Sequence, residues 1–522
     1  MELILYNGQI RTPDGYSEAV AINGGSIAAL GGDGEILALA GNETVKIDLG
    51  GRLALPGFND SHMHFLKMGH NFQALDLSKC GSAEEMISLC REFIRENGIP
   101  PGEWVEGYGW NEEKWEEKRF PDRSDLDRIS TEHPILFTRV CIHVNALNSK
   151  GLEKLRFNVE SDGILKDMAE WIYESMPGPG VESIKKKLLL AAAAAVKKGI
   201  TSVQTDDFKS IPGGCFTDII RAYRELAEAG ALPVRVTQQN ALPDMEKYKR
   251  FIAQGFHTGQ GGDFFRLGPL KLIYDGSLGA RTALLAEPYS DAPNTRGLRL
   301  YERAEEFYGL VEEAHRNGMA AIIHCIGDEA ARVAVTAISR AKEKYPDIKN
   351  RHGIVHAQIL NETLMEQIRE LDIIAYLQPV FIEADMHIAE KRVGAKRLRT
   401  SYNWRSLADT GIRIAIGTDC PVEDYDPLAN IYCAVTRKDL SGYPPGGWIK
   451  EQAMTVEEAV DAYTKAGAYA SYEEGRKGEI APDMLADIVV LDRNIFNIKP
   501  DEIINTEVYM TIVDGRVVYR KE

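Results

Sequence analysis

Apolar residues are distributed in two alternating patterns along the middle of the chain. Short runs rich in branched apolar residues are typical of buried parallel strands. Between them lie longer stretches with apolar residues at helical spacing, such as AEEFYGLVEEAHRNG. This alternation, repeated eight times, predicts a distorted (β/α)8 TIM-type barrel over residues 56–469. The eight candidate strands are LALPGFND, ITSVQTD, LPVRVTQQ, LGPLKLIYD, MAAIIHC, HGIVHAQ, IIAYLQP and IRIAIGTD.

The two ends of the chain follow a different pattern. Residues 1–55 and 470–522 contain short apolar runs separated by Asn-Gly, Gly-Gly and Asp-Gly, which are typical hairpin turns. We therefore expect the two termini to form one small composite β-sandwich domain.

An insertion separates the first two barrel strands, at residues 72–185, and it is far longer than a βα loop requires. It contains four of the six tryptophans, Trp104, Trp110, Trp115 and Trp171. One interpretation is an α/β insert over the barrel mouth, in which Trp110 contacts an apolar part of a substrate. The other is a packing subdomain whose tryptophans form its own core. The sequence leaves both open.

Charge and cysteine content narrow the class of protein. The net charge of −17 argues against a nucleic-acid partner, because phosphate binding needs clustered Lys and Arg. Seven cysteines, an odd number without CxxC spacing, fit reduced thiols. The start of the chain lacks a signal-peptide pattern, and the longest apolar run, Leu188–Val196, is far shorter than a membrane span. We expect a cytoplasmic protein with no membrane partner.

Polar residues at the ends of the predicted strands carry the candidate chemistry. Catalytic groups of a TIM barrel lie at the carboxyl ends of its strands. Residues two apart on a strand point the same way, so His62 and His64 could bind one metal ion together. Five different strands end in such a group, and a divalent ion such as Zn²⁺ suits the donor set. The candidate ligands are His62, His64, Lys271, His324, His356 and Asp419.

Lys271 has three interpretations from the residues alone. A lysine inside so apolar a strand is costly unless it is paired or chemically used. It could form a buried salt bridge, with Asp275 for example, or a Schiff base with a substrate. It could also be carboxylated by carbon dioxide, which would give an anionic ligand able to bridge two metal ions.

The ligand types indicate hydrolytic chemistry. One or two divalent ions lower the pKa of bound water and polarise the bond under attack. We expect Asp419 to take the proton of the water and pass it to the leaving nitrogen. His143 and Asp275 lie near the predicted site and could hold substrate, although a structural role is the stronger interpretation for each.

Twelve motifs, in order from about residue 50 to the C-terminus, resemble the amidohydrolase superfamily. The resemblance is closest to the amidohydrolase-3 group of metal-dependent hydrolases, which includes the N-substituted formamide deformylases. The motifs are LPGFNDSHMHF, GYGWNEEKW with FPDRSDLDRIS, RVCIHVNALNSKGL, KLIYDGSLGART, IIHCIGDEA, HAQ, LQPVFIEADM, SYNWRSLADTG, GTDCPVEDYDPLANIYCAVTR, and ADIVVLD with VDGRVVY.

The resemblance implies that the six candidate residues occupy the family's metal-site positions. In two-metal relatives the first His pair and the aspartate serve one ion, and the later histidines serve the other. Lys271 would then be the carboxylated bridge, and a homodimer is expected. Cys420, within GTDCP, departs from the small residue that is common at this position. The implied activity is hydrolysis of a non-peptide C–N bond in a small molecule of amide, formamide or carbamate type.

Three alternative functions remain at this stage. A deaminase acting on an amino-substituted ring would use the same hydroxide chemistry. A Schiff-base lyase using Lys271 explains the buried lysine but leaves four histidines without a role. A non-catalytic scaffold on the same fold is disfavoured because the chain keeps all six candidate ligands.

Overall fold

The structure of the chain is a computed structural model that describes residues 1–112, 115–139, 144–158, 160–166 and 168–522. It contains two compact units. The main unit consists of Met1–His64, Ala192–Asp206 and Leu226–Glu522, and the insert unit consists of Phe65–Ala191 and Asp207–Glu225. None of the helices in the described part combines the length and apolar content that a membrane crossing needs.

Eight parallel strands of the main unit are hydrogen-bonded to one another in chain order, with helices between them. Each coincides in part with one of the eight predicted strands, so the predicted (β/α)8 barrel is confirmed. The strands are β1 (Phe58–Met63), β2 (Ile200–Thr205), β3 (Arg235–Ala241), β4 (Phe265–Ile273), β5 (Ala321–Cys325), β6 (Gly353–His356), β7 (Ile374–Leu377) and β8 (Ile414–Ile416).

The first and last strands meet at their carboxyl ends. The Asp419 amide donates to the His62 carbonyl at 2.8 Å, and the His64 amide donates to the Cys420 carbonyl at 2.7 Å. Gly417 permits this approach, because a Cβ atom there would lie 2.4 Å from the His62 nitrogen. The backbone therefore joins the two segments that carry His62, His64 and Asp419.

The predicted first strand, residues 53–60, is divided between two sheets. Leu53–Pro56 belongs to a sheet outside the barrel, and β1 starts at Phe58. Gly57 makes the change of sheet possible, because a Cβ atom there would lie 2.2 Å from the Thr201 side chain. An unbroken apolar run does not show such a division, since both strands are buried.

Strands from both ends of the chain share one sheet of the main unit. Ile488–Leu491 pairs antiparallel with Leu53–Pro56, in the six-stranded order Arg516–Arg520, Val508–Val513, Ile488–Leu491, Leu53–Pro56, Gln9–Thr12, Gly15–Ser17. A four-stranded sheet has the order Ser26–Gly31, Ala19–Asn23, Leu3–Tyr6, Val45–Asp48. Leu5, Ile22, Ile488 and Ile512 are among the buried residues of the core between these strands. The composite β domain predicted from both termini is thus present.

The helices of the main unit lie mostly between barrel strands and pack apolar faces inward. The helix Asp328–Lys344, for example, buries Ala334, Ala337, Ile338 and Ala341 at helical spacing. The α-helices, including one whose N-terminal part is in the insert unit, are Asp33–Leu37, Val181–Lys197, Met245–Ala253, Ala304–Arg316, Asp328–Lys344, Glu362–Glu370, Ile382–Asp385, Ala389–Leu398, Trp404–Asp409, Pro427–Thr436, Val456–Tyr463 and Lys465–Ala470. Short 3₁₀ helices span Pro379–Phe381, Lys450–Gln452 and Pro500–Asn505.

The insert unit is a separate α/β structure, as predicted. Its five-stranded sheet has the order Ile164–Lys166, Val144–Leu147, Ile135–Arg139, Val105–Trp110, Leu75–Asp76. Trp110 and Trp115 are buried in its apolar core, where the two rings lie 6.1 Å apart between centroids. Its helices are Phe65–Asn71, Ala83–Asn97, Arg123–Asp127, Ser149–Lys154, Ala169–Ser175 and Phe216–Glu228, the last of which ends in the main unit.

Candidate metal centre

His62, His64 and Asp419 form a compact group at the junction of β1 and β8. Asp419 Oδ1 lies 3.3 Å from His62 Nε2 and 3.1 Å from His64 Nε2. One potential ligand atom from each residue lies within 4.8 Å of the others. The predicted pairing of the two histidines with the aspartate is therefore present in the geometry.

Lys271 lies on β4 and reaches the same group. Its Nζ is 2.9 Å from His62 Nε2 and 3.4 Å from Asp206 Oδ2, and the side chain is almost fully buried. The nearby carboxylate is thus Asp206, rather than Asp275 as in the salt-bridge interpretation.

His324 and His356 lie beside the same group of side chains. Their ring centroids are 4.4 Å apart, and the His356 ring is 6.1 Å from that of His62. All six side chains predicted from the sequence therefore lie together at one end of the barrel.

Each of the four histidines has an oxygen acceptor at its Nδ1 atom. The acceptor is Gln239 Oε1 at 2.7 Å for His62, Asp275 Oδ1 at 3.0 Å for His324, and Gln378 Oε1 at 2.8 Å for His356. For His64 it is Asp206 Oδ1. For His62, His324 and His356, a hydrogen on Nδ1 satisfies the acceptor and leaves the lone pair on Nε2, which is the arrangement that orients metal-ligating histidines.

Three of these partners were not predicted from the sequence, although the pattern that marks them is present in it. Asp206 directly follows β2, Gln239 lies on β3, and Gln378 directly follows β7. They obey the strand-end rule that selected the other candidates. With them, each of the eight strands or the residues directly after it supplies at least one polar side chain to the centre. In strand order these are His62 with His64, Asp206, Gln239, Lys271, His324, His356, Gln378 and Asp419.

The backbone is strained where two candidate ligands leave their strands. His356 has a φ of 78° and Asp419 a φ of 58°, in the left-handed region that non-glycine residues rarely occupy. Such conformations persist where surrounding contacts impose them, and they cluster at functional sites.

Burial and neighbouring charges set the protonation of the centre. Burial, reinforced by Lys271, lowers the pKa of His62, and burial together with His324 lowers that of His356 well below its ordinary value. Burial acts to raise the pKa of Asp419, but the His62 and His64 imidazoles that face its carboxylate outweigh it and hold that pKa well below the usual range. The centre therefore offers neutral imidazoles at His62 and His356 and an ionised carboxylate at Asp419.

His64 and Asp206 behave as an ion pair. Burial acts to lower the pKa of His64, but the Asp206 and Asp419 carboxylates outweigh it and raise that pKa well above its ordinary value. Burial likewise opposes ionisation of Asp206, but His64 and Lys271 lower its pKa.

The donor set fits a divalent metal ion. Asp419 Oδ1 is buried and has no hydrogen-bond donor among the described residues, although it lies between two imidazoles. Imidazole nitrogen and carboxylate oxygen are the ligands that zinc and similar ions prefer. A cation between Nε2 and Oδ1 atoms would satisfy both types of lone pair.

The structure describes two of the three residues predicted to hold substrate. The Asp275 carboxylate accepts from His324 Nδ1 and from the amides of Ile326, Gly327 and Leu284, so a substrate contact would have to replace one of these bonds. Trp110 is fully buried within the insert unit. A substrate contact stays a prediction for both, and His143 lies outside the described residues.

Cys420 contributes its backbone to the centre. Its carbonyl accepts from the His64 amide at 2.7 Å, and burial raises the pKa of its thiol well above the ordinary value. The thiol is therefore protonated near neutral pH.

A family model and two relatives match this chain over nearly its whole length. A family model described as "Amidohydrolase family" matches residues 46–519. The putative amidohydrolase YtcJ of Bacillus subtilis is 31% identical and aligns with 97% of this chain and 96% of its own. The N-substituted formamide deformylase of Arthrobacter pascens is 24% identical, with 100% and 98% covered.

Among solved structures, the chain is similar to an uncharacterized metal-dependent hydrolase from Pyrococcus horikoshii OT3. The TM-score is 0.81 at 27% sequence identity, over 95% of this chain and 99% of that chain. The similarity therefore extends over the barrel, the β domain and the insert.

Proposed function

Because this chain belongs to the amidohydrolase family, we propose that it is a metal-dependent hydrolase that cleaves a non-peptide C–N bond in a small amide, formamide or carbamate. The observation that carries the proposal is the convergence of four imidazoles, Lys271 and Asp419 at the carboxyl end of the barrel. The formamide deformylase of Arthrobacter pascens, similar over the whole chain, supports the type of bond.

The donor set assigns the ligands of one or two ions. His62, His64 and Asp419 would hold one ion, and His324 and His356 a second. From the nitrogen-rich donor set we expect zinc. When bound, such ions activate water at neutral pH and polarise the carbonyl of the scissile bond.

Asp419 is the residue that we assign to proton transfer. Its carboxylate is ionised, and Oδ1 faces both histidines of β1 at 3.1–3.3 Å. An ionised carboxylate in this place can take a proton from the attacking water and release it to the departing nitrogen. His62 and His324 keep fixed orientations through Gln239 and Asp275, so the proton path does not depend on side-chain reorganisation.

Lys271 is the residue that we propose to be carboxylated. Reaction of its neutral amine with carbon dioxide forms an N–C bond and releases one proton, which gives an anionic carbamate. The carbamate oxygens would extend beyond Nζ, which now lies 2.9 Å from His62 Nε2. Such a group would serve as a shared ligand between the two ion positions.

The test is hydrolysis of N-formyl, N-acyl and carbamate compounds by protein loaded with zinc. We expect turnover that disappears with a chelator and returns with zinc. Asp419→Asn should reduce kcat by at least about 10²-fold, the lower range for a group that transfers a proton. Asp409→Asn, an exposed matched control, should leave the rate unchanged.

Three outcomes would contradict the proposal. The first is turnover that is insensitive to chelation, and the second is turnover restricted to dipeptides. The third is a substrate adduct on Lys271 trapped by borohydride, which would indicate Schiff-base chemistry instead.

A further inference from the structure

We propose that the substrate carries a positively charged group, such as a protonated amine, and that this group binds three carboxylates next to the metal centre. The carboxylates belong to Glu383, Asp385 and Glu423, which we call the carboxylate cluster. This inference rests on the proposed function and names the class of substrate for the same site.

The three residues of the carboxylate cluster lie in the segments that follow β7 and β8. Glu383 and Asp385 lie in the short helix Ile382–Asp385, which follows β7 and the 3₁₀ turn after it. Glu423 lies four residues after Asp419, and the Val422 amide donates to the Asp419 carbonyl at 2.9 Å, which keeps this segment in a tight turn. Glu423 is thus close to the proposed proton-transfer residue.

Asp385 is held in place but not neutralised. Its Oδ2 accepts from the Tyr402 hydroxyl at 2.8 Å and from Gln358 Nε2 at 2.9 Å. Both hydrogen bonds end on the same oxygen, so Oδ1 is left for another donor. Since both donors are neutral groups, the negative charge of Asp385 is not compensated by them.

Gln358 provides the second, independent indication of a ligand. It is two residues beyond His356 and is only 5% exposed. Its Nε2 is bonded to Asp385, whereas Oε1 of the same amide has no hydrogen-bond donor among the described residues. A buried carbonyl oxygen is rarely left without a donor, so a donor is expected from a ligand at this position.

Glu423 and Glu383 add negative charge without a compensating cation. Across the described part of the chain, no Lys or Arg forms an ion pair with Glu383, Asp385 or Glu423. Burial, together with the carboxylates of Glu383, Asp385 and Asp419, raises the pKa of Glu423 to about 7. Among the residues that the structure describes, Glu383 accepts a single hydrogen bond, from the Leu440 amide at 2.6 Å.

These groups share one chemical requirement. All of them offer acceptor oxygens, and the three carboxyl groups are half-buried. A bound cation would favour their ionised form. An ammonium group has three N–H donors and a positive charge, so it could serve Asp385 Oδ1 and Gln358 Oε1, whose side chains are bonded to each other. The carboxyl group of Glu423 would add attraction for the charge. A neutral hydroxyl offers one donor and no charge, and an anionic group would be repelled by the carboxylates.

Two substrates that differ only in this charge test the inference. They are the N-formyl derivatives of 1,5-diaminopentane, which is cationic at its free end, and of 5-aminopentan-1-ol, which is neutral. We expect zinc-loaded protein to hydrolyse the cationic compound with a kcat/KM about tenfold higher, the size of one hydrogen bond to a charged group. Asp385→Asn and Glu423→Gln should each bring the ratio towards one, whereas Glu390→Gln, an exposed control, should preserve it.

A binding measurement tests, independently of turnover, whether the carboxylate cluster binds a cation. Calorimetry with n-butylammonium and n-butanol should show binding of the ammonium ion alone, weakened by Asp385→Asn and Glu423→Gln in variants with wild-type metal content. Hydrolysis of both substrates at equal rates would overturn the charge preference and leave the proposed function intact. Calcium binding at the cluster that displaces butylammonium would also overturn the inference, by showing a metal site instead. Butylammonium binding without hydrolysis of any amide would refute the proposed function but support the cluster.

Discussion

Gln239 orients His62: its Oε1 atom lies 2.7 Å from His62 Nδ1, while its Nε2 donates to the Ser61 carbonyl at 3.0 Å. The second bond fixes which end of the amide faces the imidazole. Nδ1 of His62 therefore carries the hydrogen, and Nε2 keeps its lone pair towards Asp419. A residue from β3 thus determines the tautomer of a candidate ligand on β1.

We predict that Gln239→Leu weakens zinc binding by about 10- to 100-fold, the usual effect of losing a partner of a metal-ligating histidine. The leucine is close in size but cannot accept the hydrogen on Nδ1, so His62 loses its fixed orientation. Competition with a chelating dye measures the affinity.

Gln204→Leu is the matched control for this variant. Gln204 is equally buried and donates to the Gly467 carbonyl at 2.9 Å, but it bonds to none of the four histidines. Equal losses of affinity in the two variants would contradict a specific role for Gln239.

A second prediction concerns the closure of the barrel. Asp60, fully buried on β1, accepts from the Thr418 hydroxyl at 2.6 Å and from the Thr418 amide at 3.1 Å. Thr418→Val removes the hydroxyl and leaves a buried carboxyl group short of one donor. We expect a loss of about 1–3 kcal/mol in the free energy of unfolding, measured by urea denaturation.

Thr511→Val provides the comparison. The Thr511 hydroxyl is also buried, and it donates to the Val196 carbonyl at 2.7 Å. Because its acceptor is a neutral carbonyl, we expect the smaller loss of about 1 kcal/mol. A larger loss in this variant than in Thr418→Val would refute the importance of the Asp60 contact.

A third prediction concerns stability in acid. The Ala321 amide donates to His352 Nδ1 at 3.0 Å, His352 Nε2 lies 2.9 Å from His315 Nδ1, and His315 Nε2 lies 3.2 Å from the Tyr345 carbonyl. With both rings neutral, each of these nitrogens has a partner of the right type. Burial and His315 therefore lower the pKa of His352 from 6.5 to about 3.

The sign of the effect follows from this depressed pKa. The folded state resists a proton that the unfolded chain accepts below pH 6.5, so stability is complete above that pH and falls as the pH decreases towards 3. From pH 6.5 to 4 we expect a loss of about 3 kcal/mol from His352. His352→Asn should flatten this dependence, and His257→Asn, at an exposed site, should not. An unchanged pH slope in His352→Asn would contradict the assignment.

Lys271→Arg tests the bridging role of the lysine. Arginine keeps a positive charge near Asp206 but cannot be carboxylated, so we expect the variant to bind fewer zinc ions per chain than the wild type. A ¹³C carbamate signal after growth with labelled bicarbonate should disappear in parallel. Lys477→Arg is the matched control, since Lys477 is also buried and bonds to Glu473 at 2.6 Å. Full zinc content in Lys271→Arg would contradict a shared ligand at this position.

The sequence predicted the barrel and its six candidate ligands because a parallel barrel has a simple physical signature. Its strands are buried on both faces, so a charged or imidazole side chain at a strand end stands out against an apolar run. His324 after AII and His356 after GIV are examples. The resemblance then favoured carboxylation of Lys271, which no residue pattern alone indicates.

The partners of the ligands were harder to predict, because an amide or carboxylate at a strand end has many possible roles. Gln239 and Gln378 differ from other buried glutamines only in the imidazole that they contact. The division of the apolar run at Gly57 was also hidden, since it depends on the distance to Thr201. Both features arise from contacts between distant parts of the chain.

X-ray diffraction at the zinc absorption edge, on crystals of zinc-loaded protein, tests the central claim most directly. The account predicts an anomalous peak about 2.0–2.2 Å from His62 Nε2, His64 Nε2 and a carboxylate oxygen of Asp419. Well-ordered side chains at these three residues with no anomalous peak between them, in protein that hydrolyses amides, would contradict it.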